Sequence, residues 1–201
     1  MLQGELGAEG FVVVAVALDA AGEEAAGEWI RRAQPTYPCL IDRGHRVAEL
    51  YGMVNVPTAV WVDEAGAVVR GPETAGAGEA WRTHLDRESG KLDDEGRAAL
   101  RAERERYLAA IRAWVREGRH ELREPLRAPT PEESLAAAHF RLGHHVGSRE
   151  HLREALRLVP SSWNYRRQLL ALERPPDARE QFWAAVDAVE PGAYYPPPRF
   201  E

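Results

Sequence analysis

The sequence predicts an α/β domain followed by an all-α region, and three observations carry that reading. "FVVVAVALD", residues 11–19, is a near-continuous β-branched run of the kind found in a strand of a parallel sheet buried on both faces. From there to about residue 89 strand-like and helix-like patterns alternate, as in an α/β layer. Beyond residue 93 the strand signals stop and apolar residues recur at three- and four-residue steps.

Taken in order, "AAGEEAAGEWIRRAQ" reads as a helix with Ala26, Trp29 and Ile30 on one face, stopped by Pro35. "TYPCLID" is a short strand, and "HRVAELYG" a short helix closed by Gly52. Thr58–Asp63 and Ala67–Arg70 form a hairpin whose turn, "DEAG", places Gly66 at a left-handed position. "GEAWRTHLDRES" is expected to be the helix covering it, and "GKLDDEG" a polar joint. The two parts are therefore a domain over 1–89 and a helical region over 93–201.

In the second part, about Asp93 to Glu117 is one helix burying a stripe that includes Leu100, Tyr107, Ile111 and Trp114. "PLRAPTP" breaks the chain. Two helices follow, about Glu132 to Leu142 and Ser148 to Leu158, separated by "GHHVG" and ended by Pro160. Leu135, Ala136, Leu152, Ala155 and Pro160 match the small, apolar and terminating positions of one tetratricopeptide-type hairpin over about 132–160. Glu132 stands where that motif carries an aromatic, and only one full repeat is present, where about three make a free-standing array. Ser161 and Ser162 read as caps of a helix containing Trp163, and "DAREQFWAAVDAVE" as a last amphipathic helix. The proline-rich end, "PGAYYPPPRF", is expected to run extended across a surface.

Composition narrows the functional classes. An apolar share of 44% with 29% charged residues is that of a globular protein. The net charge is -6 and no long basic run is present, which argues against a nucleic-acid partner. The longest strongly apolar run, Phe11 to Leu18, is too short to cross a bilayer and lacks the flanks of a signal peptide, so no membrane partner is expected and a cytoplasmic location is. Cys39 is the only cysteine, so the chain has no internal disulfide, no CxxC and no cysteine zinc site.

The stretch "YGMVNVPTAVWVDEAGAVV", residues 51–69, is the most informative. Tyr51-Gly52 ends a helix, Val56-Pro57-Thr58 leads into a strand, and Asp63 with Gly66 forms the hairpin turn. Proline cannot donate to a sheet ladder, so one at a strand's start occupies a special place, often a cis peptide in a tight turn. With the strand run before it, this stretch resembles the thioredoxin-like fold, in the redoxin branch of membrane-linked thiol-disulfide oxidoreductases and alkyl-hydroperoxide-reductase-like proteins. The resemblance covers roughly residues 1–89 and rests on Tyr51, Gly52, Pro57, Thr58, Asp63 and Gly66. It implies a cis Val56-Pro57 peptide facing the catalytic thiols, with the Val56 backbone pairing with an extended substrate segment by strand addition. It also implies thiol-based oxidoreductase or antioxidant chemistry: dithiol-disulfide exchange with a protein substrate, or reduction of a peroxide.

What the family places opposite that proline is a W-x-x-x-C-x-x-C type motif, sometimes with selenocysteine, at a helix N-terminus that favours the thiolate. Neither the motif nor the strand before it is in this chain. Aligned on "FVVVAVALD", the fragment "MLQGELGAEG" matches the end of that helix, and Met1 falls about two turns, or about 11 Å, beyond the second cysteine's place. The absent strand is the central one, between Val12–Leu18 and Thr58–Asp63. Three explanations stay open. The gene product extends upstream of Met1, and if the site used selenocysteine its UGA codon would be read as a stop. The chain is a degenerate relative serving as a binding or scaffold module. Or another segment, or a second copy in a homodimer, supplies a strand to the unpaired edge.

The site residues expected from this reading are Val56 and Pro57 as the substrate-facing rim, with no catalytic residue in the chain unless Cys39 is a reactive thiol. Cys39 lies in a predicted strand, where it reads as a small buried hydrophobe. The chain as given is expected to be inactive, whether or not the family is an enzyme family, and no cofactor is expected. His139, His144, His145 and His151 do not follow H-E-x-x-H or another ligand pattern, so no metal is expected either. The competing expectation is a non-catalytic interaction or scaffold module whose helical region binds a protein partner.

Overall fold

The computed structural model describes residues 2–76, 78–119, 126–196 and 198. The chain is mixed α/β: small strands and helices come first, and a mostly helical region follows. The first half contains α1 (Leu2–Leu6), β1 (Ala15–Ala17), α2 (Glu23–Ala33), β2 (Cys39–Ile41), α3 (Arg46–Tyr51), β3 (Thr58–Val62), β4 (Val68–Thr74), β5 (Leu85–Asp86) and β6 (Lys91–Leu92). The second contains α4 (Asp94–Glu117), α5 (Pro131–Val146), α6 (Arg149–Leu158), α7 (Trp163–Glu173) and α8 (Ala178–Asp187). Two compact units draw on both halves: Met1–Val54 with Leu126–Trp183, and Asn55–Pro125 with Ala184–Glu201. The division at residues 89–93 is one of sequence character, and this one is of contact.

In the first unit β1 and β2 pair in parallel, Ala15 opposite Cys39 and Ala17 opposite Ile41, with α2 as the crossover. The strand is shorter than the apolar run that announces it, and the expected burial on both faces is not found: Val14 is 53% exposed. A β-branched run acquires two buried faces only when layers cover both, and β1 lies in a sheet of two strands. Trp29, expected on the inner face of α2 beside the buried Ala26, is 69% exposed. The helix ends before Pro35 as expected, with Gln34 in the left-handed region.

The helical part of this unit starts at a capping box, in which the Thr130 hydroxyl accepts from Glu133 N–H and the Glu133 carboxylate accepts from Thr130 N–H. Arg127 pairs with the same carboxylate and holds Glu133 down at about 2. The expected break at "GHHVG" is confined to its last residue. Gly143 lies inside α5, which continues to Val146, and the chain turns instead at Gly147, φ 68°. The reason is close approach: a Cβ on Gly143 would lie 2.8 Å from Leu152 Cδ2. Phe140, Leu152, Ala155 and Leu169 form the core shared by α5, α6 and α7, with Leu156, Tyr165 and Leu172 around it. Leu135, expected among the packed positions, is largely exposed, and its neighbour Ala136 is buried. Asn164, in the first turn of α7, donates through its backbone to the Val54 carbonyl at 3.1 Å and through Nδ2 to Met53 at 2.9 Å. Those two bonds fix the segment that follows α3.

In the second unit β3 and β4 are antiparallel, with Thr58 opposite Thr74. Asp63 Oδ1 accepts from Ala65 and Ala67 N–H, and Gly66 takes φ 82°, the turn the sequence predicts. The helix expected over "GEAWRTHLDRES" does not form. That stretch gives one 3-10 turn, Arg82–His84, and then the hairpin of β5 and β6. Asp86 decides this: Oδ1 accepts from Glu88 and Ser89 N–H and Oδ2 from the Ser89 hydroxyl, a turn that competes with helix, and Gly90 at φ 69° completes it. The polar joint of the sequence reading is therefore partly strand. Helix α4 matches its expected bounds, capped by Asp93, whose side chain accepts from Gly96 N–H at 2.8 Å. Its stripe buries Tyr107 and Ile111. Among the described residues no helix is long and apolar enough to cross a membrane.

Candidate functional site

The predicted rim lies at the entry to β3, within the second unit. Helix α3 ends at Gly52, φ 64°, as a left-handed cap requires, and four residues later the Val56–Pro57 peptide bond is cis. Asn55 organises the turn. Its Oδ1 accepts from Val56 N–H at 2.9 Å, and its own carbonyl accepts from the Thr58 hydroxyl at 2.7 Å. The Pro57 carbonyl accepts from Ala75 N–H at 3.2 Å. The side chains of Val56 and Pro57 stay exposed, and together they make an apolar ledge.

The main chain of the ledge is not open. The Val56 carbonyl accepts from the Tyr195 hydroxyl at 2.6 Å, and Asn55 Nδ2 donates to the Tyr194 carbonyl at 2.6 Å. Strand addition uses the N–H and C=O of the rim residue, and at Val56 both are taken. The expectation of an extended tail lying over a surface fails here. Residues 191–195 run through turns and bends, with Gly192 at φ 87°, and Tyr194 and Tyr195 are buried. Pairs separated by 139 positions leave no local sequence signal.

Cys39 is a free, half-buried thiol in β2 of the first unit. Of the four histidines singled out, His139 and His151 meet through their Nδ1 atoms at 2.9 Å, and His145 is exposed on α5. His144 packs edge-on to Phe140, and burial lowers its pKa. Among the described residues no group of three or more His, Cys, Asp or Glu side chains could hold a metal ion. No protein-family model, curated protein or solved structure matches the chain.

The sequence reading passed over His45, which heads α3 with φ 52° and is 4% exposed. Neither ring nitrogen has a hydrogen-bond partner, and the ring lies 4.6 Å from that of Phe140 and 6.5 Å from that of His144. Desolvation pushes it down to about 4, against the opposing pull of Asp42. Asp42 caps the helix in its place, Oδ2 accepting from Val47 N–H at 2.7 Å.

Proposed function

We propose that this chain carries the proline side of a thioredoxin-like redoxin domain, with a tetratricopeptide-like helical hairpin over about 132–160. One observation carries the reading: a parallel β-α-β unit (β1, α2, β2) is followed by α3 and by an antiparallel pair entered through Val56-Pro57. That is the element order and the proline position the resemblance implies. The activity proposed is thiol-disulfide exchange with a protein substrate, or peroxide reduction, in the cytoplasm. Val56 and Pro57 form the substrate-facing rim, and the thiolate or selenolate nucleophile is supplied from outside residues 1–201. The edge beside β1 is where a further segment, or a second copy of the chain, adds a strand.

Upstream DNA tests this directly. An in-frame stretch coding W-x-x-x-(C or UGA)-x-x-C, joined to this chain and expressed with selenocysteine insertion where needed, should reduce insulin disulfides or a peroxide. An unrelated upstream sequence sinks the reading. A second reading, a non-catalytic interaction module, is favoured by the occupied Val56 main chain and by the packed helices α5 to α7, which would bind a protein segment. Its mark is binding activity with no turnover from the extended product.

A further inference from the structure

The contacts around the C-terminal segment share one feature: side chains of the second unit read its main chain. Asn55 Nδ2 donates to the Tyr194 carbonyl, and the Thr74 hydroxyl donates to the Pro196 carbonyl at 2.9 Å. Glu79 accepts twice, from Tyr195 N–H at 2.6 Å and from Gly192 N–H at 3.0 Å. Two donors and two carboxylate oxygens thus match two carbonyls and two amides of a bent peptide. Asn55 and Thr74 are 5% and 4% exposed, so these are groups withdrawn from solvent and committed to this partner. The Tyr195 ring lies tilted 6.2 Å from Trp81 and sends its hydroxyl to Val56, and the Tyr194 ring, 4.2 Å from it, is buried beside it.

We propose that Gly192–Pro196 is a reversibly docked internal ligand, and that the groove of Asn55, Thr74, Glu79 and Trp81 is a receptor for peptides of its kind, a turn followed by Tyr-Tyr-Pro. The segment has no helix or strand of its own to hold it in place. It is tethered just upstream, where Arg87 forms a two-pronged pair with Asp187 at 2.5 and 2.6 Å and Arg82 donates to the Val186 carbonyl at 2.9 Å. Tethering gives the tail an effective concentration on the order of millimolar, so an outside peptide competes poorly until the tail is weakened or drawn away. Undocking also frees the Val56 carbonyl, while the Val56 N–H stays with Asn55 Oδ1.

The test uses the full chain and a fluorescein-labelled synthetic peptide of residues 190–198. Wild type should bind it weakly. The double variant Tyr194→Ala/Tyr195→Ala, which leaves the groove untouched, should bind it at least tenfold tighter, and adding Glu79→Ala should remove that gain. A folded double variant with no gain makes the tail a fixed part of the core and overturns the proposal. Should the double variant not fold, wild-type hydrogen exchange decides instead. The Gly192 and Tyr195 amides should exchange at least tenfold faster than those of Trp61 and Val69, and equal rates overturn the proposal. Peptide capture needs no thiol. Capture without turnover in an upstream-extended product removes the redox reading alone, and turnover without capture removes this one alone.

Discussion

The Trp61 indole N–H donates to the Tyr107 hydroxyl at 2.8 Å, tying β3 to the middle of α4. The rings meet edge-on at 5.7 Å, Trp114 stacks on the indole at 5.1 Å, and the Arg70 guanidinium lies 4.8 Å over it. Arg70 is itself buried and paired with Glu73 at 2.5 Å. Burial, the largest influence, raises the Tyr107 phenol and keeps it neutral, so the hydroxyl stays available as acceptor and donor. The hairpin that carries the Pro57 ledge is thus held by a polar network inside an aromatic one.

Tyr107→Phe leaves the Trp61 N–H buried without that acceptor. The expected loss is about 1–3 kcal/mol, the range for an orphaned buried polar group. Urea unfolding followed by tryptophan fluorescence measures it. Adding Trp61→Phe should not double the loss, because the orphan is then gone. A strictly additive cycle would count against the network.

Gly143→Ala tests the helix-helix contact. In an exposed helix the change stabilises by up to about 1 kcal/mol. Here the new methyl would meet Leu152 Cδ2 at 2.8 Å and the Ser148 carbonyl oxygen at 3.1 Å, and Leu152 is fully buried. Overpacking of that kind costs about 1–3 kcal/mol, so the net sign should be destabilising. Gly4→Ala in α1, where a Cβ meets nothing within 4 Å, is the control and should be neutral or stabilising. Thermal melts of both settle it, and a Gly143→Ala variant no less stable than wild type would mean the contact is loose.

Much of the fold is legible in the sequence wherever one local rule decides. Helix α4 follows from its apolar spacing and from Asp93, and the β3–β4 turn from Asp63 and Gly66. The misreadings have three causes: a close approach across a helix hairpin, a competing local turn, and a partner far along the chain. Gly143 reads as punctuation, yet it is a flat spot against Leu152. Residues 78–89 read as a helix, yet the Asp86 carboxylate takes the amides a helix would use. At the candidate site only the ledge was legible, from Val56-Pro57 preceding a strand. Asn55 looks like an ordinary turn residue until Tyr194 is set against it. The signal at His45 was available, a histidine opening a helix after "DRG", but its burial under Phe140 was not.

Residues 1–201 alone should not catalyse thiol-disulfide exchange. Cys39 is the single thiol, half-buried in β2, and no CxxC is present. An insulin-turbidity assay with dithiothreitol should match the protein-free control, and Cys39→Ser should leave that null result unchanged. Turnover that Cys39→Ser abolishes would make Cys39 the nucleophile.

His45 sets the acid limit of the first unit. Its folded pKa, about 4, lies below the ordinary histidine value of about 6.5, because burial disfavours the imidazolium. Asp42 and Asp19 pull the other way and His144 adds to the depression. Between about pH 6.5 and 4 the unfolded chain therefore binds a proton that the folded chain does not, and stability falls as pH falls across that window. It is fully present above pH 6.5 and, as far as His45 is concerned, flat below pH 4. The loss from this residue should be on the order of 3 kcal/mol, with His144 adding a smaller loss of the same sign. His45→Asn tolerates the left-handed backbone and does not titrate. Urea unfolding at pH 7.5, 5.5 and 4.5 should show most of the wild-type slope gone in that variant, whatever its stability at pH 7.5. A slope unchanged by the substitution would place the acid sensitivity elsewhere.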